Sequence, residues 1–298
     1  MNKEIRSGLL LFLVAAIWGF AMAAQRQASR FLSPFTFNAC RFTVGALAML
    51  PLQLMDKGRD GRLMERRDIL PGAALGAVLF LASLLQQSAV GQAGAGKAGF
   101  LTALYVVLVP ILGMFFGKKT RITTWLSLLL ALPALYLLCV PVGEAFSLAP
   151  WDGLLIVGAV VWAAHILLTD HFAPAHRPLR LCFVQFAAAA ALSWAMAALT
   201  EEVAWDGLKN ALWPILYCGV FSTGVGYLLQ TVGQKGCRPA FAALILSLES
   251  VFCVIAGALT LNEQMDGRGY VGCALMLLAV MLAQAGALLR PQREDQNV

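Results

Sequence analysis

Between Arg238 and Glu263 lie 24 residues whose only charge is Glu249. A helix crosses the hydrocarbon core of a bilayer in about 20 residues, so this run reads as a membrane span with a carboxylate near its middle. An ionised group at that depth costs roughly 2.5–3.5 kcal/mol unless it faces protein or water. Glu249 is therefore expected to point into a bundle interior or a polar cavity, as a candidate proton- or ion-coupling group. The competing reading is a carboxylate held by helix hydrogen bonds.

Similar runs recur around residues 8–24, 34–55, 69–89, 98–117, 122–142, 153–169, 181–200, 211–233, 239–261 and 269–289. Residues 8–24 follow Lys3 and Arg6 and end near Ala21 and Ala23, as a signal peptide would. Trp18 inside the run, and the many runs that follow, argue instead for a first span. The chain of 298 residues is 60% hydrophobic and 13% charged, where a soluble domain has about 25% charged residues. A soluble globular fold is excluded. The expected fold is all-α and integral to a membrane, with ten transmembrane helices.

The net charge of +6 does not point to nucleic acid, because the basic residues sit in short connections between apolar runs. With the N-terminus in the cytoplasm, sixteen Lys and Arg fall on the inner side, among them Lys57, Arg59, Arg62, Arg290 and Arg293. Five fall outside, namely Arg26, Arg30, Lys97, Lys209 and Arg268, and Arg41 lies within a span. That asymmetry predicts both termini in the cytoplasm. The seven cysteines form no CxxC or ligand-like cluster and read as buried free thiols. No metal and no cofactor is expected.

The chain also repeats itself. Trp18 matches Trp162, Arg41-Phe42 matches Gln185-Phe186, and Ser83 to Gln86 match Tyr227 to Gln230, all at an offset of 144. Pro110 matches Ser250 at 140, and Lys118 and Trp125 match Glu263 and Tyr270 at 145. Five spans per unit make the second unit enter the membrane from the opposite side, an inverted-topology repeat with a solute site expected near the midplane between the halves. The units are placed at residues 1–145 and 146–298, joined near Pro141–Pro150. Between them a wet, solute-sized cavity is expected.

Trp18-Gly19 in the first span, Pro34 with Arg41 in the second, FLTALYVVLVP leading into the fourth and Leu248-Glu249-Ser250 followed by Glu263 in the ninth resemble the drug/metabolite transporter superfamily, in its EamA-type ten-helix branch. The resemblance covers almost the whole chain. It implies helices 1–4 and 6–9 around a central cavity, with helices 5 and 10 at the periphery, where a homodimer would form. It also implies export or exchange of small metabolites, often amino acids, across the bacterial inner membrane. Two positions depart from the family pattern. A proline of the ninth helix is Ser250 here, which predicts a weaker kink or none, and the counterpart of Glu263 is Lys118.

Candidate substrate-binding residues follow from polar or aromatic character at membrane depth. Arg41 is an anion anchor or the partner of a structural pair, with a backbone carbonyl or with Glu249. His165 titrates near neutrality when unperturbed, or is a hydrogen-bonded helix histidine. Gln86, Gln185 and Gln230 hydrogen-bond a polar solute or clamp helices. Trp18, Trp162, Tyr105 and Tyr227 shape a solute site or pack.

The leading function is a secondary-active exporter or exchanger of an amino-acid-like solute, working by alternating access. A multidrug or cation exporter of the same fold is the alternative, and a channel, which would need a ring-forming filter, comes after it. An enzyme is not expected: the chain has no HExxH, no GxSxG and no paired intramembrane aspartates, and His165 and Asp170 do not share a helix face. No GxxxxGK[ST] is present to couple ATP.

Overall fold

Each apolar run becomes a helix, because in hydrocarbon the backbone must satisfy its own hydrogen bonds. A computed structural model describes residues 3–55, 65–93, 95–139, 149–202, 205–261 and 266–289. Lys57, Arg59, Arg62, Pro141, Glu263, Arg290 and Arg293 lie outside the described residues, as does the side chain of Lys97. The first half comprises α1 (Lys3–Ala28), α2 (Pro34–Met55), α3 (Arg66–Ala93), α4 (Ala95–Ala103), α5 (Tyr105–Phe115) and α6 (Ile122–Cys139). The second comprises α7 (Pro150–Phe172), α8 (Pro178–Thr200), α9 (Trp205–Asn210), α10 (Leu212–Leu216), α11 (Tyr227–Gln234), α12 (Pro239–Leu246), α13 (Glu249–Leu261) and α14 (Gly267–Leu289). Among the described residues, eight helical stretches are long and apolar enough to cross a membrane, and Ile122–Leu137 and Gly267–Ala283 are two shorter apolar ones. Leu129, Leu199 and Met281 face outward, while Asn38, Gln86, Gln185 and Ser193 are buried. Apolar side chains outside and amides inside is the arrangement lipid demands.

The helix starts are written locally. Pro34, Pro150, Pro178 and Pro239 each open a helix, where the missing N–H costs nothing. α2 is capped from the other half: the Glu201 carboxylate accepts from the N–H of Phe35 (3.0 Å), the N–H of Thr36 (2.8 Å) and the Thr36 hydroxyl (2.8 Å). Glu201→Ala is expected to lower stability by about 1–2 kcal/mol, read as a fall in Tm in detergent. α5 ends on Gly117 at φ +71, a left-handed turn that lets the Lys118 N–H reach the Gly113 carbonyl at 2.9 Å.

The halves run in opposite directions. Near one end of α2, Thr36 meets Glu201; further along it, Trp194 Nε1 donates to Thr43 Oγ1 at 3.0 Å. Numbers rise along α2 as they fall along its counterpart α8. The other counterpart pair, α6 and α14, also packs together, with Arg268 at the start of α14 over the ring of Tyr136 late in α6. The remaining contacts interchange under the same symmetry: α1 packs on α12 and α13, and α7 packs on α4 and α5.

Three spans depart from regular helix. The fourth breaks at Leu104 and the ninth at Ser247–Leu248, matched positions 144 apart. The ninth span is interrupted although Ser250 stands where the family pattern has proline. Around the break the Leu248 N–H turns to Ile245 O (3.1 Å) and the Ser250 N–H to Ser247 O (3.2 Å). Ser247 Oγ then caps the freed Leu244 carbonyl at 2.7 Å, and Ser250 Oγ donates to the Ser247 carbonyl at 2.8 Å. The Ser247 hydroxyl thus satisfies the Leu244 carbonyl that the interruption frees, and the Ser250 hydroxyl adds a second donor to the Ser247 carbonyl. In the eighth span, Tyr217–Gly226 is a π-helix between α10 and α11. Such stretches recur beside functional sites.

Candidate solute site

The breaks, the π-helix and the middle of α1 meet around one cavity. It is lined by Trp18, Met22 and Gln25 of α1, Arg41 of α2, Gln86 of α3, Thr102 and Tyr105 flanking the first break, and Trp162 and Ile166 of α7. Ser222, Tyr227, Gln230 and Glu249 complete it. Trp18/Trp162, Gln86/Gln230 and Tyr105/Glu249 are pairs related by 144 residues, so the symmetry axis passes through the cavity.

Seven of the nine expected solute contacts, with Glu249, line this space. His165 and Gln185 do not. They are buried behind the aromatic layer, His165 Nε2 lying 3.3 Å from Gln185 Oε1 and the His165 ring 5.7 Å from that of Tyr227. Three residues beyond Trp162, His165 has rotated past the cavity face toward α8. Tyr227 centres the layer, its ring 4.9 Å from Trp18 and 6.4 Å from Trp162.

Arg41 and Glu249 are not a pair: among the described residues no ion pair joins them. Arg41 is 3% exposed, and its Nε and Nη2 have no hydrogen-bond partner. The guanidinium lies over the faces of Phe42 (4.7 Å) and Phe37 (5.7 Å), cation–π contacts that offset part of its desolvation. Glu249 accepts a long hydrogen bond from Tyr105 at 3.4 Å. Trp162 Nε1 and Gln230 Oε1 are also buried and unpartnered. The walls thus carry unpaired donors at Arg41 and Trp162, and acceptors at Gln230 and Glu249.

The free space is about 30 Å³, room for one or two waters. The solute-sized cavity expected from the sequence is contracted here around the aromatic rings.

The face bearing the N-terminus is strapped across the halves by charge. Lys118 pairs with Asp170 (2.6 Å) and Arg180 with Glu65 and Asp68, His176 Nδ1 is hydrogen-bonded to Asp68 Oδ1 (2.7 Å), and within the first half Arg121 ties to Glu4 (3.0 Å). Lys235 Nζ donates to the His176 carbonyl at 2.8 Å, and burial lowers the pKa of its ammonium. The opposite face instead carries two open recesses, of about 260 and 380 Å³.

Met22, Gln25, Thr102, Ile166 and Ser222 were not among the expected contacts. Met22 and Gln25 follow Trp18 by four and seven residues, and Ile166 follows Trp162 by four, so helical spacing alone would have found them. Ser222 carried no such signal. The i→i+5 spacing of the π-helix aligns it with Tyr227, and its carbonyl accepts from Trp18 Nε1 at 3.1 Å. A Cβ on Gly226 would lie 2.6 Å from that nitrogen, so the contact requires glycine.

The model of the EamA-like transporter family matches this chain twice, over residues 6–140 and 149–284. The chain belongs to the EamA-like transporter family. It is a multi-pass membrane protein of the drug/metabolite transporter superfamily. An uncharacterized transporter of Archaeoglobus fulgidus is 31% identical over 281 residues, covering 94% of this chain and 86% of the relative. The uncharacterized transporter YwfM of Bacillus subtilis is 25% identical over 289 residues, 93% of each chain. A solved crystal structure superposes with a TM-score of 0.79 at 19% identity, over 96% of this chain and 99% of the other, a likeness of fold. Within this EamA-family fold, the cavity lies where the two matched segments meet.

Proposed function

We propose that this transporter carries a small zwitterion, of amino-acid type, across the bacterial inner membrane by alternating access. The reading rests on one observation: Arg41 is buried with two unpaired nitrogens in a cavity that also holds an unsalted carboxylate, Glu249. A guanidinium fork suits a carboxylate. Glu249, steadied by Tyr105, suits an ammonium, and Trp18, Trp162 and Tyr227 leave an aromatic wall for the remainder. The antiparallel halves support alternation, since exchanging their conformations would open the opposite face. The strapped N-terminal face and recessed opposite face suit a state closed toward the cytoplasm, with both termini inside as the charge asymmetry predicts.

Counterflow of labelled L-amino acids in proteoliposomes tests the proposal. Glu249→Gln is expected to cut flux at least about tenfold, the loss of a charged hydrogen bond to the ammonium. Tyr105→Phe, which leaves the carboxylate in place, should cut it about threefold. Amino-acid flux unchanged in Glu249→Gln would refute the assignment. A cation exporter is the second reading, favoured by the aromatic wall beside Glu249. It predicts flux of lipophilic cations that survives Arg41→Ala.

A further inference from the structure

The contracted central cavity is not the roomiest polar space in the bundle. Above it, at the α1–α2 turn, lies an open recess of about 380 Å³ lined by Ser29, Arg30, Ser33, Gln87, Ser88 and Gln92 among others. The end of α3 lies against that turn, for a Cβ on Gly91 would sit 3.3 Å from Ser29 Oγ. Gln25 lines the central cavity, and Gln87 lines the recess. The two are hydrogen-bonded, Gln87 Nε2 donating to the main-chain carbonyl of Gln25 at 3.2 Å. One pair of residues is therefore the shared wall of both spaces.

That wall is unusual for a packing contact. Gln25 and Gln87 are 4% and 2% exposed, yet the Oε1 of each has no hydrogen-bond partner. A buried amide oxygen left unpaired costs about 1–3 kcal/mol, so two of them beside one weak strap make a contact that opens at little cost. Opened, both oxygens become acceptors for the N–H groups of a passing solute.

We infer that the recess is an outer vestibule for a carboxylate-bearing solute, and that the Gln25–Gln87 contact is the gate between it and the central cavity. The inference rests on the proposed transport reading for the solute's identity, but the gate itself does not. A solute released from the central cavity moves past the two amides into the vestibule, where Arg30 and the serine hydroxyls meet its polar groups.

Thiol labelling in nanodiscs, with no solute present, tests the gate. The small anionic reagent 2-sulfonatoethyl methanethiosulfonate is reacted with Ser88→Cys in the vestibule and with Met22→Cys in the cavity, subtracting the parent protein's own cysteines. Ser88→Cys is expected to react at least about tenfold faster, because Met22→Cys is reached only through the minor, open population. Adding Gln87→Met, which keeps the volume and deletes the donor, should raise the Met22→Cys rate roughly three- to tenfold, the population change a lost hydrogen bond of ordinary strength produces. Gln87→Ala should raise it at least as much and leave Ser88→Cys unchanged. Equal rates at the two positions in the otherwise native protein overturn the partition. A Met22→Cys rate that neither Gln87 variant changes overturns the gate. Either result leaves the counterflow assay untouched, so failure of the gate and failure of the zwitterion reading are separable.

Discussion

Replacing Arg41 with leucine is expected to abolish transport while making the protein harder to unfold. The guanidinium is buried, has two nitrogens without hydrogen bonds and, among the described residues, meets no carboxylate within ion-pair distance. Its compensation comes from the faces of Phe42 and Phe37, and such a contact is worth about 2 kcal/mol when desolvated. Desolvating a charge costs several kcal/mol, so an apolar residue of similar bulk should stabilise by about 1–3 kcal/mol. Transport should fall at least about thirtyfold, because removing one partner of a desolvated charge pair costs about 2–5 kcal/mol. Thermal unfolding in detergent and counterflow in proteoliposomes read the two effects on one preparation. A leucine variant that is less stable than the parent would show that Arg41 holds the bundle together rather than waiting for an anion. Stable and fully active protein would remove it from the site.

The second large effect is on packing. Gly19→Ala should destabilise by about 3 kcal/mol or more, at the upper end for overpacking. A Cβ there would lie 2.3 Å from Phe252 Cβ, 2.7 Å from the Cys253 nitrogen and 2.7 Å from the Glu249 carbonyl oxygen. Two of those atoms are backbone and cannot rotate away, so α1 and α13 must separate. The displaced carbonyl belongs to Glu249, and transport should fall with stability. Gly153→Ala is the control: its Cβ meets nothing within 4 Å, and in α7 the change should stabilise by about 0.5–1 kcal/mol. Equal Tm values for the two variants would mean that α1 and α13 do not approach as closely as described. Thus the residue beside Trp18 sets the spacing of the helices that form the cavity.

Both predictions show how unevenly the site could be read beforehand. Trp18, Trp162, Gln86 and Gln230 were visible because the duplication marks them twice and polar or aromatic groups are conspicuous in hydrocarbon. Arg41 was visible because an arginine at that depth needs a reason. Whether it pairs with Glu249 was not visible, since pairing depends on the rotation of two helices distant in sequence. Gln185 shows the limit of symmetry reasoning. It matches Arg41 at 144 residues, yet it turns to His165 behind Tyr227, because in the second half the aromatic rings of Trp162 and Tyr227 already fill the cavity face. Ser250 shows the limit of motif reasoning: without the proline, the ninth span breaks all the same, and the Ser247 hydroxyl caps the Leu244 carbonyl that the break frees.

What the amino-acid order determined by itself was the number of apolar runs, their duplication and hence the inverted halves. Those follow from the length of a helix that spans hydrocarbon and from the parity of five spans, both local or countable properties. The tertiary structure alone decided that Arg41 and Glu249 share one contracted cavity without pairing with each other, that charges strap one face shut, and that Gln25 and Gln87 divide the cavity from a vestibule. Each of these depends on which faces of distant helices meet. Close packing at residues such as Gly19 and Gly226 sets those meetings to within a fraction of an ångström.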